Sequence, residues 1–394
     1  MTLSLDPSDY VDLRKVEKLD ISDLDGWKTF VRLRNSYHAP PVIDRSDYQS
    51  LAPRERLKYD TIRRLGNFNP PKHETPMTAA IREQVQPVLQ ANLYRMDPGV
   101  RSGIFISADG AMGKSTLMRE IAADYEAAVE VVREVMPSAV SVRDRWVPVA
   151  WVTVPPKLSI KSLATAILTF YGEPVRSHMT DSALTQRVVE VLRDCGTRLL
   201  VLDDITRYKD GEADRLASDW IRNLMETSVT VVAMGVDVRG SGILYDGTRG
   251  RDKQLRTQTA RRFTILDIEP FRYDTSHEIR AWVEHLAAVE ADLPLLDKSP
   301  GMLSKNLAEF LYDRTQGVIG VLADWVQLTA ETAIGRDPSR GGEYLTRDDF
   351  ERIPVKGTYD DPENEVRNSV RPTATKKRKG RNTVFDQPSR SDVA

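Results

Sequence analysis

A lysine and a serine stand side by side in the segment GIFISADGAMGKSTLMREIA, and together they have the chemistry to bind phosphate and magnesium. Gly113, Lys114 and Ser115 match the end of the phosphate-loop pattern G-x-x-x-x-G-K-[ST]. Ala108 replaces the first glycine of that pattern, and Gly110 supplies backbone freedom nearby. In such a loop the lysine reaches the β- and γ-phosphates and the hydroxyl ligates Mg²⁺. A chance match in an ordinary turn is the competing interpretation of this motif taken alone.

A second motif, RLLVLDD, favours the nucleotide interpretation. Its apolar run ends in Asp203 and Asp204, as in a Walker B element, where the first acid holds Mg²⁺ and the second polarises the attacking water. A helix cap or a turn is the alternative for an isolated acidic pair. Asp204 stands where glutamate is usual, and a misplacement of about 1 Å can lower a rate roughly a hundredfold. We therefore predict an ATPase with slow turnover.

ATP and Mg²⁺ are the cofactors that these two motifs predict. Ser115 and Asp203 are the predicted magnesium ligands, and Asp204 is the predicted catalytic acid. The predicted nucleotide-binding residues are those of the loop and the following helical turn, namely Asp109, Gly110, Ala111, Met112, Gly113, Lys114, Ser115 and Thr116.

Two further segments could contribute to catalysis. The segment VTVVAMGVD leads to Val236 where a polar sensor of the γ-phosphate is expected, and Asp237 is a poor substitute because it is an anion. The segment TQTARRFTILDIEPF places Arg261 and Arg262 before a strand. An arginine there could act as a finger on a neighbouring subunit's nucleotide, or the pair could be a surface feature at a helix end.

These motifs require a fold that brings strand ends together. Apolar runs in GIFIS, VPVAWVTV, RLLVLDD, VTVVAMG and FTILDIEPF alternate with helical patterns, which predicts an α/β fold with a parallel sheet covered on both faces. The segment TAAIREQVQPVLQANLYRM is helical in pattern, with an interruption expected at Pro87.

We divide the chain into four parts on composition and pattern. Residues 76–271 form the predicted P-loop NTPase domain, and residues 272–355 form a small helical domain whose first helix Asp274 is placed to cap. Residues 1–75 are a partly helical extension, in which PRERLKYDTIRRLGNF is either an amphipathic packing helix or a partner-binding arm. Residues 356–394, with the basic block KKRKGR, are predicted to be a disordered tail.

Composition excludes several classes of protein. The chain has 394 residues, a formal net charge of -2 and 40% hydrophobic residues, as expected of a soluble globular protein. One cysteine, Cys195, rules out a disulfide framework, and the five histidines show no zinc-binding spacing. The N-terminus is acidic and lacks an apolar core, so we expect no signal peptide there, and no apolar run approaches the roughly 20 residues that span a bilayer. We therefore expect a cytoplasmic protein that does not associate with membranes.

The order of these motifs resembles that of the AAA+ ATPases, and more narrowly that of the TniB/TnsC-like regulators of transposition. The resemblance rests on SADGAMGKSTLMREIA, VPPKLSIKSLATAILTFYGEP, RLLVLDDI, VTVVAMGVDV, ARRFTILDIEPF and LYDRTQGVIGVLADWVQLTAETAI, and it covers about residues 75–350. It implies an AAA+ sheet with a helical lid. It further implies ATP bound between subunits, ring or filament assembly on double-stranded DNA, and recruitment of a DDE transposase. Hydrolysis would limit or disassemble the filament.

The resemblance also implies roles for individual residues. Lys114 and Ser115 correspond to the phosphate and magnesium positions, Asp203 to the second magnesium position and Asp204 to the water-activating acid. Arg262, or Arg261 beside it, corresponds to the arginine finger. The lid segment TQGVIG carries no sensor arginine, although an arginine stands just before it.

Family members contact the DNA backbone through loops without reading its sequence. The candidates here are Lys157 and Lys161 after the second strand and Arg207 and Lys209 after the Walker B segment, each of which could equally be a solvated surface charge. The basic tail could add DNA affinity, dock the transposase or only aid solubility.

Two other functions stay open. One is a nucleotide-gated scaffold that binds ATP and partners but barely hydrolyses it. The other is a helicase-loader or signalling ATPase of the same superfamily with another protein client.

Overall fold

The computed structural model describes most of the chain before the C-terminal tail. The described residues are 5–6, 9–10, 20–34, 41–95, 99–136, 145–156, 159–205, 220–221, 223–236, 238 and 262–355. The predicted tail at 356–394 lies outside them.

A parallel sheet of five strands forms the centre of the described structure. The strands are β1 (Gly103–Ser107), β2 (Val149–Thr153), β3 (Leu199–Asp203), β4 (Thr230–Gly235) and β5 (Phe263–Asp267). Their order across the sheet is β2-β3-β4-β1-β5, and every neighbouring pair is parallel. Nearly all residues of β1 to β4 are buried, as expected of a sheet with helices on both faces. The predicted α/β class is confirmed.

Helices precede, connect and follow these strands. They are α1 (Leu24–Leu33), α2 (Arg45–Ser50), α3 (Pro53–Phe68), α4 (Pro76–Tyr94), α5 (Lys114–Val135), α6 (Ile160–Phe170), α7 (Asp181–Asp194), α8 (Ser276–Asp292), α9 (Ala308–Thr315), α10 (Ile319–Ala333) and α11 (Arg347–Glu351), with a short 3-10 helix at Pro338–Arg340. Within the described ranges, no helix is both long enough and apolar enough to cross a membrane.

Helix α4 corrects one prediction, because it runs through Pro87 without ending there. Proline removes one helical hydrogen bond and crowds the preceding turn. Ile81, Val85 and Leu89 lie on the buried face of the same helix and join the core of the sheet domain. Burial of these side chains outweighs the local cost of the proline.

The helices from α8 onward surround a second hydrophobic core. Phe271, Trp282, Leu311 and Phe350 are among its buried members, and the sheet core is a separate cluster. We call residues 271–355 the lid. The cap of α8 is Thr275 rather than the predicted Asp274, since the Thr275 side chain accepts a hydrogen bond from the Glu278 N–H.

The N-terminal helices pack on both units. On the sheet side, the Trp27 ring of α1 stacks on Trp151 of β2, with centroids 5.8 Å apart, and its Nε1 donates to Glu126 over 2.7 Å. On the lid side, Asn67 of α3 donates to the Gln327 carbonyl of α10 over 2.8 Å. The extension therefore links the two cores.

A buried charge cluster joins α3 to the lid. The Arg63 guanidinium is fully buried and pairs with Glu343 of the lid and with Asp60 of its own helix. Burial alone would lower the pKa of Arg63, but hydrogen bonds and the negative charges of Glu343 and Asp60 outweigh it and raise the pKa. We call these three residues the Arg63 cluster.

Candidate functional site

The loop after β1 forms a cradle of backbone groups at the carboxyl edge of the sheet. Gly113, at φ +77°, caps the start of α5, and Ala111 also has a left-handed backbone at φ +58°. Left-handed residues between right-handed ones turn successive N–H groups to one side, which suits an anion. The positive end of α5 faces the same place. The loop predicted from the sequence therefore has the backbone geometry of a phosphate site.

The Lys114 ammonium lies over this loop. Its Nζ donates to the carbonyl oxygens of Ala108, over 2.6 Å, and Asp109, over 2.8 Å. Burial lowers the pKa of Lys114, and the negative charges of Asp203, Asp109 and Asp204 oppose that shift. A half-buried cation held by carbonyl groups at a helix start is suited to bind an oxyanion.

Ser115 and Asp203 meet although they come from different strand–helix units. The Ser115 Oγ donates to Asp203 Oδ1 over 3.0 Å. Burial raises the pKa of Asp203, while hydrogen bonds from Ser115 and the Asp204 N–H oppose that rise. A hydroxyl and a carboxylate side by side are ligands that suit Mg²⁺, which takes few protein ligands and completes its shell with water and phosphate. Among the described residues, no cluster of three or more His, Cys, Asp or Glu side chains could form a larger metal site.

Asp204 adopts an unusual backbone conformation. It lies at φ +64°, is exposed, and its N–H donates to Asp203 Oδ1 over 3.0 Å. Aspartate and asparagine tolerate the left-handed region better than other side chains except glycine. The next residue, Ile205, is anchored by its N–H to the Met234 carbonyl over 2.7 Å. The turn therefore exposes the second acid beside Ser115 and Asp203 and favours the short side chain found there.

Within residues 230–236, the end of β4 carries no side chain suited to hydrogen bond to a γ-phosphate. Gly235 and Val236 end this stretch, and Asp237 lies outside the described residues. On the neighbouring strand β1, Ser107 pairs in register with Gly235, and its Oγ accepts a hydrogen bond from the Val238 N–H over 3.2 Å.

Arg262 lies at the amino ends of the strands, whereas the loop lies at their carboxyl ends. It precedes β5, and its carbonyl accepts from the N–H of Gly103, the first residue of β1. A five-residue strand spans roughly 15 Å, so the length of a strand separates this arginine from the loop of its own chain. Its Nη1 lies 3.5 Å from the Glu226 carboxylate. Arg261 lies outside the described residues.

Of the four candidate DNA contacts, Lys161 falls within the described residues. The other three, Lys157, Arg207 and Lys209, lie outside them. Lys161 is exposed at the start of α6, and its Nζ donates to the Ser177 carbonyl over 3.1 Å. Its present contact is that of an ordinary surface lysine.

Two residues near the site were not predicted from the sequence. Arg119 donates through Nε to the Ser115 carbonyl over 3.0 Å, and its charge acts to lower the pKa of Asp203. The Gly320 N–H at the start of α10 donates to the Ala111 carbonyl over 2.8 Å. The spacing of four residues from Ser115 could have indicated Arg119, and the second glycine of TQGVIG is the only signal for Gly320. Arg314, before that segment, lies over the Phe310 ring, with 5.8 Å to its centroid.

The strand order and the loop after β1 define an α/β P-loop NTPase of the AAA+ type. Residues 78–272 match the family described as the bacterial TniB protein. This match confirms the resemblance to the TniB family that the motifs predict.

Solved structures add support for the fold. The ORC2 protein of Aeropyrum pernix, in ADPNP and ADP complexes, is 16% identical over 74% of this chain and 72% of its own, with a TM-score of 0.51. Cdc6p from Pyrobaculum aerophilum is 15% identical over 71% of this chain and 66% of its own, with a TM-score of 0.44. At these identities only the likeness of fold to ORC2 is informative. No curated protein sequence matches the chain.

Proposed function

We propose that this protein is an ATP-dependent regulator of DNA transposition. It binds ATP with Mg²⁺ at the loop after β1 and assembles with further copies of itself on double-stranded DNA. In that state it recruits or activates a DDE transposase, and slow ATP hydrolysis releases the assembly. The match of residues 78–272 to the TniB family supports the biological part of this proposal.

The hydrogen bond from Ser115 to Asp203 carries the biochemical part. It joins the helix that follows the loop to the end of β3, beside the Lys114 ammonium. Lys114 would bind the β- and γ-phosphates, and Ser115 and Asp203 would hold Mg²⁺, which screens the phosphate charge. The loop N–H groups from Asp109 to Thr116 would complete the phosphate contacts.

Asp204 would orient and deprotonate the attacking water. Its exposed position beside Asp203 supports this role, and its short side chain supports a slow reaction. Arg262, and Arg261 next to it, would act on the nucleotide of a neighbouring subunit. Arg262 lies at the amino ends of the strands, away from the loop of its own chain, which supports action between subunits. For that role it would have to release its contact with Glu226.

Binding to DNA would use the phosphate backbone and would not depend on sequence. Lys161 is the described candidate, and Lys157, Arg207 and Lys209 are proposed with it. In an assembly each of these cations is repeated once per subunit, so that contacts which are weak singly act together. The basic tail is a further candidate for DNA or transposase contact.

The Lys114→Ala variant tests the proposal. We expect at least a hundredfold loss of ATP affinity in calorimetry, because a charge-assisted phosphate contact is removed from a preformed site. Lys161→Ala is the matched control, since it removes an exposed lysine outside the loop, and it should bind ATP normally. ATP bound equally well by the Lys114→Ala variant would contradict the nucleotide site.

A second measurement tests assembly. Electron microscopy with duplex DNA and a slowly hydrolysed ATP analogue should show rings or filaments for the native chain and none for Lys114→Ala. A protein that stays monomeric in both cases would contradict the assembly proposal.

Asp204 and Val236 favour one alternative, a nucleotide-gated scaffold with little hydrolysis. Phosphate release measured with and without duplex DNA separates the two. Absence of turnover in both conditions, with intact ATP binding, would establish the scaffold. Assembly without DNA but on another protein would point instead to a helicase-loader or signalling ATPase.

A further inference from the structure

The lid contacts the candidate phosphate loop through its main chain. At the first turn of α10, the Gly320 N–H donates to the Ala111 carbonyl over 2.8 Å. The N-cap residue of this helix, Val318, offers no side-chain cap, so the first-turn N–H groups are free to bond elsewhere. A backbone donor therefore makes a contact between lid and loop that involves no arginine.

The close approach at this contact accounts for the glycine. A Cβ at position 320 would lie 2.5 Å from the Ala111 carbonyl oxygen and 3.0 Å from the Ala111 Cβ. Glycine in a helix costs up to about 1 kcal/mol relative to alanine, so helix stability does not favour it here. Absence of a side chain is what lets the two backbones form a hydrogen bond.

Docking of the lid determines the direction of a loop N–H. A trans peptide is planar, and the described chain contains no cis peptide, so the Ala111 C=O and the Met112 N–H point in opposite directions. With the carbonyl turned toward the lid, the Met112 N–H is turned away from it. The left-handed backbone of Ala111 costs about 1 kcal/mol or more, and the bond from Gly320 offsets part of that cost.

The lid is also held by α3, which contacts α10 farther along that helix. Asn67 of α3 donates to the Gln327 carbonyl of α10, and Arg64 of α3 pairs with Glu331 of the same helix over 2.6 Å. The Arg63 cluster fastens α3 to the lid farther along. Because these contacts hold α10, the helix is not free to rotate and relieve a steric clash at position 320.

We propose that Gly320 is a positioning residue of the nucleotide site. It docks the lid on Ala111 and thereby aligns the Met112 N–H as a donor to bound phosphate. The same bond couples the position of the lid to phosphate binding. This role rests on the proposed function, since it requires that the loop after β1 binds phosphate.

The Gly320→Ala variant tests this role, with binding of a non-hydrolysable ATP analogue and of inorganic tripolyphosphate as the measurements. We expect both to bind roughly tenfold more weakly, the effect of losing one hydrogen bond to a charged group. The melting temperature should fall only slightly, because the helix propensity of alanine offsets part of the lost contact with Ala111. Val321→Ala, which shortens the next side chain of α10, is the control and should bind both compounds normally.

Three results would overturn the proposal. They are unchanged affinities in Gly320→Ala, an equal loss in Val321→Ala, and a loss for the ATP analogue but not for tripolyphosphate. Lys114→Ala separates this test from that of the function. If Lys114→Ala binds the ATP analogue normally, the nucleotide site itself fails, whereas weak binding there with normal binding in Gly320→Ala removes only the role of Gly320.

Discussion

Two groups of charged residues in the described part of the chain differ in how they are used. At the carboxyl edge of the sheet, Lys114 and Asp203 have only a few partners, and Asp204 is exposed. In the Arg63 cluster, the guanidinium is fully buried and is bonded on both sides by carboxylates. The same types of side chain are therefore open to a ligand in one region and bonded mainly to each other in the other.

This difference separates function from stability. A buried charge that loses its partner keeps its desolvation cost, so the Arg63 cluster should control the stability of the lid. A charge at an open edge has water as an alternative partner, so its replacement should alter binding or catalysis and leave folding almost unchanged. Three experiments can break or sharpen the comparison.

The largest effect is expected for Arg63→Met. It leaves Glu343 and Asp60 buried without their cation, and we expect a loss of about 3–5 kcal/mol in the free energy of unfolding. Denaturant titration measures it. The neighbouring Arg64→Met is the control, because the Arg64–Glu331 pair is partly exposed and should contribute less than about 1 kcal/mol. Similar losses in both variants would mean that burial does not distinguish these pairs.

Asp204→Asn should show the opposite pattern. Asparagine has the same shape and also tolerates the left-handed backbone, so stability and ATP affinity should be unchanged. ATP hydrolysis should fall about a hundredfold, because the amide cannot take a proton from water. Single-turnover phosphate release measures this. Asp204→Glu keeps the carboxylate and should retain more activity; equal losses in the two variants would contradict a catalytic role.

The smallest effect concerns a histidine of the lid. His285 stacks on Phe271 at 5.1 Å, and burial, followed by the charge of His73, lowers its pKa to about 4. The unfolded chain therefore takes up this proton below its pKa of about 6.5, whereas the folded protein resists protonation until the pH falls through 4. Stability is full above pH 6.5 and declines as the pH falls toward 4. The free energy of unfolding is already lower by roughly 2 kcal/mol at pH 5.

Denaturant titrations of His285→Leu and of the native chain between pH 7.5 and pH 5 isolate the contribution of His285 to stability. The variant should lose less stability on acidification than the native chain. Replacement of the exposed His277 by leucine is the control and should preserve the native pH dependence. An identical slope in His285→Leu and the native chain would contradict the assignment.

Much of the site could be predicted because its signals are local. The apolar run GIFIS is β1 itself, and the apolar run of RLLVLDD is β3. Parallel strands put their carboxyl ends at one edge, so Lys114, Ser115 and Asp203 were expected to meet, and Ser115 does bond to Asp203. The roles of these residues in binding and catalysis remain predictions.

Other features depend on residues that are far apart in the chain. Arg63 and Glu343 are separated by 280 positions, and neither has a sequence context that indicates a buried partner. Pro87 marks a helix break by local rules, yet buried neighbours keep α4 continuous. The contact between Gly320 and Ala111 needs the lid to be docked before it exists.

The sequence by itself determined the alternation of strands and helices, the loop chemistry and the acidic strand end, because short-range hydrophobic periodicity and backbone preference encode them. Only the tertiary structure decided where the N-terminal helices lie, which charges are buried and how the lid meets the loop. These depend on packing and desolvation, which are properties of surfaces brought together by folding. A single stretch of sequence does not contain them.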